Sequence, residues 1–310
     1  MFAMQLSILT DLPERPPKGS MPLGSPIASH GPEVVYREIP VRQVLCKSPA
    51  AERMGMPFSW TVNPYRGCEI GCTYCYARYT HTYLGLDEPR AFEREIFVKL
   101  GAGSTVQRSL VPEHFAGAHI AIGTATDPYQ PAERRYRITR GILTKLASFS
   151  GLTLSLTTKS PLVLDDLDLL ARIARRSRLT VNISLISLDD ALIRLLEPKG
   201  ATPKARLEAI RRLNEARVRS GLFLMPVIPG INDDKKGLAA LEKAARAAGA
   251  AFVVKQRMQL RRATWPVFAD LVREHFPALA APFEATARRR FGSPRADGTD
   301  PCPPTARCPL

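Results

Sequence analysis

The sequence predicts an α/β fold of parallel strand and helix units, and three observations lead there. Six apolar, β-rich runs alternate with helical patterns through the middle of the chain. Two neighbouring runs keep a polar side, where a sheet covered on both faces would be almost continuously apolar. Polar residues also gather just beyond the ends of the runs. The alternation alone allows a closed or partly closed β/α barrel or an open doubly wound sheet, and the polar side favours a barrel with a wet lumen.

The runs are 58–63 (FSWTVN), 118–123 (AHIAIG), 152–158 (LTLSLTT), 179–186 (LTVNISLI), 221–228 (GLFLMPVI) and 250–255 (AAFVVK). Side chains alternate along a strand, so Leu152, Leu154 and Leu156 share one side and Thr153, Ser155, Thr157 and Lys159 the other. Val181, Ile183 and Leu185 alternate in the same way with Thr180, Asn182 and Ser184. Helices are expected over 132–147 after Pro131, with Ile138, Ile142 and Leu146 at four-residue spacing. A second is expected over 165–176, capped by Asp165 or Asp166, with Leu167, Leu170 and Ile173 on one face. Further helices cover 204–217, striped by Leu207, Ile210 and Leu213, and 233–249, closing at Gly249.

Thr126 and Asp127, Lys159, Ser187 and Asp189, Asn232, and Gln256 and Arg257 follow the strand ends. In β/α barrels that mouth holds the active site. Taken alone, Asp189 and Asn232 each read as a turn or helix-cap residue; the coincidence across strands carries the functional reading.

Residues 10–34 and the segment from Gly292 onward are rich in Pro, Gly and Ser without periodicity, so both read as flexible. The expected organisation is an arm over 1–35, a core barrel over 36–258, C-terminal helices over 259–291 and a tail over 292–310. Of the 310 residues, 45% are hydrophobic and 24% charged, ordinary for a soluble globular protein, and no apolar run is long enough to span a bilayer. The N-terminus lacks a basic region and a sustained apolar stretch, so a cytoplasmic location is expected.

The formal charge is +15, and residues 199–295 carry 20 Lys and Arg against 8 Asp and Glu. A basic face of that width suits phosphates and equally a solvated arginine-rich surface. Trp265 and Phe268, beside Arg261 and Arg262, suit either stacking on nucleic acid or an amphipathic helix covering the barrel.

The sharpest local feature is RGCEIGCTYCYAR, 66–78, where Cys68, Cys72 and Cys75 form C-x3-C-x2-C directly after the first run. Structural zinc takes four ligands, and none stands nearby to complete the set. A dithiol redox pair uses Cys72 and Cys75 and leaves Cys68 unexplained. Three thiolates on a short Gly-containing loop suit a four-iron four-sulfur cluster with one iron open to another ligand. Cys46 reads as an incidental thiol, and Cys302 with Cys308 supply only two ligands.

This spacing, with Tyr74 as the aromatic residue before the third cysteine, resembles the signature of the radical S-adenosylmethionine enzymes. The motifs NPYRGCEIGCTYCYAR, HTYLGLDEPRAFEREIFVK, TATDPYQPAE, TTKSPLVLDDLDLL, SLDDALIRLLEPKGATPKARLEAI and MPVIPGIND resemble, in order over about residues 36–235, the branch related to spore photoproduct lyase, also labelled DNA repair photolyase-like. The resemblance implies an α/β fold, a partial (β/α)6 barrel, with Cys68, Cys72 and Cys75 on three irons of a [4Fe-4S] cluster and S-adenosyl-L-methionine on the fourth. It implies reductive cleavage of that cofactor to a 5'-deoxyadenosyl radical, which takes hydrogen from a substrate that the sequence does not identify, nucleic acid for repair or modification being one candidate. A one-electron donor of flavodoxin or ferredoxin type is implied as partner; DNA or RNA is a candidate partner on the separate ground of the basic C-terminal third. Gly67 and Gly71 would let the loop wrap the cluster closely.

Lys159 and Ser184 match the lyase's contacts to S-adenosylmethionine, and Tyr74, Thr126 and Asp127 join them as candidate cofactor contacts. The usual glycine-glycine-glutamate after the second strand is replaced here by GTATDPYQPAE, where Asp127 or Glu133 is the substitute expected for the methionyl amine. The lyase's hydrogen-donor cysteine corresponds to Thr124, a poor hydrogen-atom donor, so dimer reversal by the same route is not expected. Tyr76 matches a tyrosine assigned to radical relay and also has the size to pack against the loop. The competing expectations are a nucleic-acid-binding protein with a structural or redox-sensing cluster, and a zinc-stabilised module.

Overall fold

A computed structural model describes residues 27–30, 34–49, 51, 55–111, 115 and 117–291. The strands in chain order are β1 (Ile27–His30), β2 (Val35–Pro40), β3 (Leu45–Lys47), β4 (Trp60–Val62), β5 (Tyr65–Arg66), β6 (Glu95–Leu100), β7 (His119–Ile122), β8 (Thr153–Thr158), β9 (Arg178–Ser184), β10 (Ser220–Val227) and β11 (Val253–Arg257). The expected runs map onto β4 and β7 to β11, with the last strand shifted towards the C-terminus.

Seven strands form one sheet in the order β11-β10-β9-β8-β7-β4-β3. β4, β7, β8, β9, β10 and β11 are all parallel, and β3 runs antiparallel beside β4. β3 and β11 are the two edges and do not pair, so the six parallel strands make a partial barrel rather than a closed one. Leu154, Leu156, Val181, Ile183, Leu222 and Leu224 are buried on the helix-covered side.

The polar side runs as expected. His119 Nε2 meets Ser155 Oγ at 2.8 Å, and Asn182 Nδ2 donates to Thr157 Oγ1 at 3.0 Å across a register that pairs those two residues.

A second sheet, β1-β2-β6-β5, stands outside the expectation. β2 and β6 are parallel, while β1 and β5 are antiparallel to their neighbours. Its strands lie partly in the span assigned to the barrel, and β1 falls within the span assigned to the flexible arm. Residues 1–26 and 31–33 of that arm, and the 292–310 tail with Cys302 and Cys308, lie outside the described residues.

Two helical expectations change. The helix expected over 132–147 is broken into Glu133–Tyr136 and Ile138–Leu146, because Arg137 takes a left-handed conformation, φ 48°. The helix expected at 165–176 is Leu167–Ala174, preceded by a 3-10 turn, Pro161–Asp166, whose cap is Ser160. Asp166 does not cap; it accepts from Tyr129 Oη at 2.9 Å and pairs with Arg140. Helices Pro203–Glu215 and Lys235–Ala247 match their patterns and start from side-chain caps at Thr202 and Asp234.

Helices Trp265–His275 and Pro277–Phe291 complete the described chain. Phe268 is fully buried and packs edge-on against Phe283, so it belongs to the core rather than to a stacking surface. No helix among the described residues is long and apolar enough to cross a membrane.

Candidate active site

The cysteine loop leaves β4 and β5 at the C-terminal end of the parallel strands, and its backbone is pinned at almost every residue. Gly67 has φ +85°, and a Cβ there would lie 2.6 Å from the Glu95 carbonyl and 2.9 Å from that of Phe92. Only glycine fits this conformation and this approach. The next residue, Cys68, donates its N–H to Phe92 O at 2.9 Å. The Gly67 carbonyl accepts from Thr126 Oγ1 at 2.6 Å and from Gln130 Nε2 at 3.2 Å, and Gln130 Oε1 accepts the Glu69 N–H at 2.9 Å. Arg78 Nη2 holds the Cys72 carbonyl at 3.0 Å, and Thr264 Oγ1 holds that of Cys75 at 2.8 Å. Thr73 N donates to Leu196 O at 3.0 Å, and Lys199 N donates to Ile70 O at 3.2 Å. Such a loop is preorganised before any cofactor arrives.

Cys68 and Cys72 are buried, and Cys75 is half-buried. Burial is the main cause that pushes all three thiols up, and Cys68 is pushed further by Asp127 and by the other two cysteines. Lys159 opposes the rise at Cys72 and Cys75, which places its charge beside both. Thiols so reluctant to ionise alone become thiolates by binding a metal centre. No three His, Cys, Asp or Glu side chains among the described residues gather as the ligand set of a single metal ion. The donor set, three thiols on one rigid loop, fits an iron-sulfur cluster. Cys46 lies away on β3.

Behind the loop is a buried charged network. Lys159 follows β8, and its Nζ donates to Ser184 Oγ on β9 at 2.6 Å and lies 5.7 Å from the Tyr74 ring centre. Glu197, fully buried, accepts from Tyr74 Oη and pairs with the fully buried Arg206; Lys159 Nζ is 3.7 Å from its carboxylate. Arg206 also donates to Ser184 O and Ala201 O, each at 2.9 Å. Burial works against the Glu197 charge, but Lys159 and Arg206 outweigh it and hold the carboxyl below its usual range. Burial also opposes the Lys159 charge, and Glu197 and Cys72 outweigh it and raise its pKa.

The structure thus brings together Cys68, Cys72, Cys75, Tyr74, Lys159 and Ser184 of the residues singled out from sequence. Thr126 reaches the site through the loop, since its hydroxyl is spent on Gly67 O. Asp127 is engaged within the protein: its oxygens accept from Tyr129 N at 2.9 Å, Thr158 Oγ1 at 2.6 Å and Lys159 N at 2.7 Å. These bonds fix the turn that carries Lys159. Glu133 is likewise engaged, by Tyr65 Oη and by the N–H groups of Thr139 and Arg140, where it serves the start of Ile138–Leu146. Asp189 caps Asp190–Leu196, and Asn232 ties Ile228 N to the carbonyls of Ile186 and Pro226. Tyr76 is 44% exposed and donates to the Thr124 carbonyl.

Glu197, Arg206, Gln130 and Thr264 were not anticipated. One signal was present: Arg206 stands on the buried stripe of its helix with Ala209, Ile210 and Leu213, where an arginine needs a buried partner.

The family model of the radical SAM superfamily matches residues 62–241. An uncharacterized protein of Mycobacterium tuberculosis is 35% identical over 256 residues, 83% of this chain and 74% of that protein. An uncharacterized protein of Methanocaldococcus jannaschii is 28% identical over 178 residues, 56% of this chain and 62% of that protein. Among solved structures, spore photoproduct lyase complexed with dinucleoside spore photoproduct superposes with a TM-score of 0.58 at 15% identity, covering 83% of this chain and 78% of that chain. A cysteine-to-alanine mutant of that lyase with the same ligand gives a TM-score of 0.57 at 14% identity over 82% and 78%. At such identities the likeness is one of fold.

Proposed function

The chain belongs to the radical SAM superfamily, and from that premise we propose that it is an enzyme that removes a hydrogen atom from a nucleic-acid substrate, in repair or modification. The observation that carries the proposal is the placing of the cysteine loop against Lys159 and Ser184, three thiols beside a cationic and hydroxyl grip suited to a carboxylate. Cys68, Cys72 and Cys75 hold a [4Fe-4S] cluster in this reading, and Lys159 and Ser184 take the carboxylate of S-adenosylmethionine. When bound, the two cofactors supply reductive cleavage of the sulfonium and the 5'-deoxyadenosyl radical that abstracts hydrogen.

The chain's own residues orient and exclude water. Tyr74 holds its ring near Lys159 while Glu197 fixes its hydroxyl. Asp127 holds the Lys159 backbone, and Arg78, Gln130 and Thr264 keep the loop from opening. Tyr76, beside Thr124, is the relay residue of this reading. An external flavodoxin- or ferredoxin-type protein supplies the electron, and the basic C-terminal third takes the nucleic acid. The likeness of fold to a lyase solved with a dinucleoside ligand supports that substrate class.

The test is anaerobic reconstitution with iron and sulfide, followed by dithionite and S-adenosylmethionine. Formation of 5'-deoxyadenosine, lost in Cys72→Ala, is the expected outcome. A cluster that forms but yields none, with a paramagnetic resonance spectrum indifferent to S-adenosylmethionine, overturns the proposal.

A further inference from the structure

Next to the cysteine loop lies a cation that no acid among the described residues answers. Arg261 follows β11, and its guanidinium carbon is 5.9 Å from the ring centre of Tyr76 and 5.4 Å from that of Tyr79. Its Nε is buried without a hydrogen-bond partner, and no Asp or Glu among the described residues forms an ion pair with it. Arg290 is near enough for its pKa to be lowered first by partial burial and then by Arg261.

The position is fixed by the loop itself. Thr264 Oγ1 donates to the Cys75 carbonyl at 2.8 Å, while Thr264 N and Trp265 N donate to Arg261 O at 3.1 and 3.0 Å. One tight turn therefore ties Arg261 to the residue that precedes Tyr76. A buried N–H without a partner is unfavourable, so the guanidinium is not fully satisfied by the protein. The two ring contacts answer its charge only in part. Arg261 as a whole is only half-buried, so an anion docked on the accessible part of its guanidinium would supply the counter-charge that no described acid gives, and the planar fork of arginine suits phosphate. The Tyr76 ring, 44% exposed, offers a flat apolar face within reach of the same anion.

We infer that Arg261 is a phosphate anchor at the active-site rim, gripping a backbone phosphate of a nucleic-acid strand while the exposed Tyr76 ring takes the adjoining base. The inference rests on the nucleic-acid reading of the site given above. It places the strand against the residue that follows the third cysteine, so that the anchored nucleotide lies at the mouth.

The reconstituted protein, titrated into a fluorescein-labelled oligothymidylate across a salt series, tests it by anisotropy. Arg261→Met should weaken binding about tenfold or more, the worth of a charge-assisted hydrogen bond, and remove about 0.7 from the slope of log K against log salt. Arg261→Lys keeps a cation against the two rings and should retain the slope while losing part of the affinity, because an ammonium lacks the fork. Arg211→Gln, whose charge is already paired with Glu208 and Glu215, should change neither. Wild-type binding with unchanged affinity and slope in both Arg261 variants overturns the anchor and leaves the nucleic-acid reading standing. An equal loss in Arg211→Gln also overturns it, since diffuse charge then explains the binding. Absence of wild-type binding at the lowest salt overturns both.

Discussion

Replacing Glu197 by Gln removes the one negative charge that Arg206 has, without changing the shape of the pocket. Glu197 and Arg206 both have 0% side-chain exposure, so neither is screened by solvent. Removing one member of a buried ion pair costs about 3–5 kcal/mol, because the remaining charge is left without a counterion. The Gln amide oxygen still receives the Tyr74 hydroxyl, so Glu197→Ala should cost about 1–3 kcal/mol more by orphaning it. For a chain of this size, with an m-value of about 3 kcal/mol/M, the Gln variant's urea midpoint should fall by about 1 to 1.7 M. The assay is anaerobic urea unfolding of wild type, Glu197→Gln, Arg206→Met and the double variant. The double variant should lose less than the sum of the singles, with a coupling of about 2–3 kcal/mol. A Gln variant within about 1 kcal/mol of wild type, or an additive cycle, would refute the reasoning and make Glu197 a bystander to Tyr74 and Lys159.

Three further outcomes follow from the geometry. Lys159→Ala should weaken S-adenosylmethionine binding roughly 10- to 150-fold, the worth of a charge-assisted hydrogen bond of about 1.5–3 kcal/mol, while iron content per chain stays constant; calorimetric affinities within twofold of each other would count against the carboxylate grip. His81, buried at 2% exposure, donates from Nε2 to Glu95 O at 2.9 Å and leaves Nδ1 without a partner, and burial pushes its pKa from 6.5 down to about 4. The unfolded chain then binds the extra proton between those values, so stability should fall by about 2 kcal/mol from pH 7 to pH 5, and His81→Phe should flatten that part of the urea-midpoint profile. Gly67→Ala should lower both stability and reconstituted iron, since the added Cβ meets two backbone carbonyls at 2.6 and 2.9 Å; full iron loading in that variant would show that the loop has room to shift.

The cysteine loop and the parallel strands were legible because each is written within a few residues. The spacing of Cys68, Cys72 and Cys75 sets the donor set, and alternation in LTLSLTT and LTVNISLI sets which side chains face one another. The same alternation put Lys159 and Ser184 on one face, and a 2.6 Å hydrogen bond joins them. Helix stripes likewise gave Pro203–Glu215 and Lys235–Ala247.

Other features depended on partners far away in the chain. Asp127 carried the composition of an amine ligand, yet which donors reach it was settled by the turn after β8. β5 is two residues long and finds its place only beside β6, which no pattern within Tyr65–Arg66 signals. Thr264 lies 189 residues from Cys75, and Glu197 lies 123 from Tyr74. By itself, then, the sequence determined the donor set, the strand alternation and the polar lumen, all products of local spacing and side-chain periodicity. The tertiary structure alone decided which buried polar groups answer one another, because a hydrogen bond or ion pair is chosen by what packs within about 3 Å, and periodicity carries no record of that.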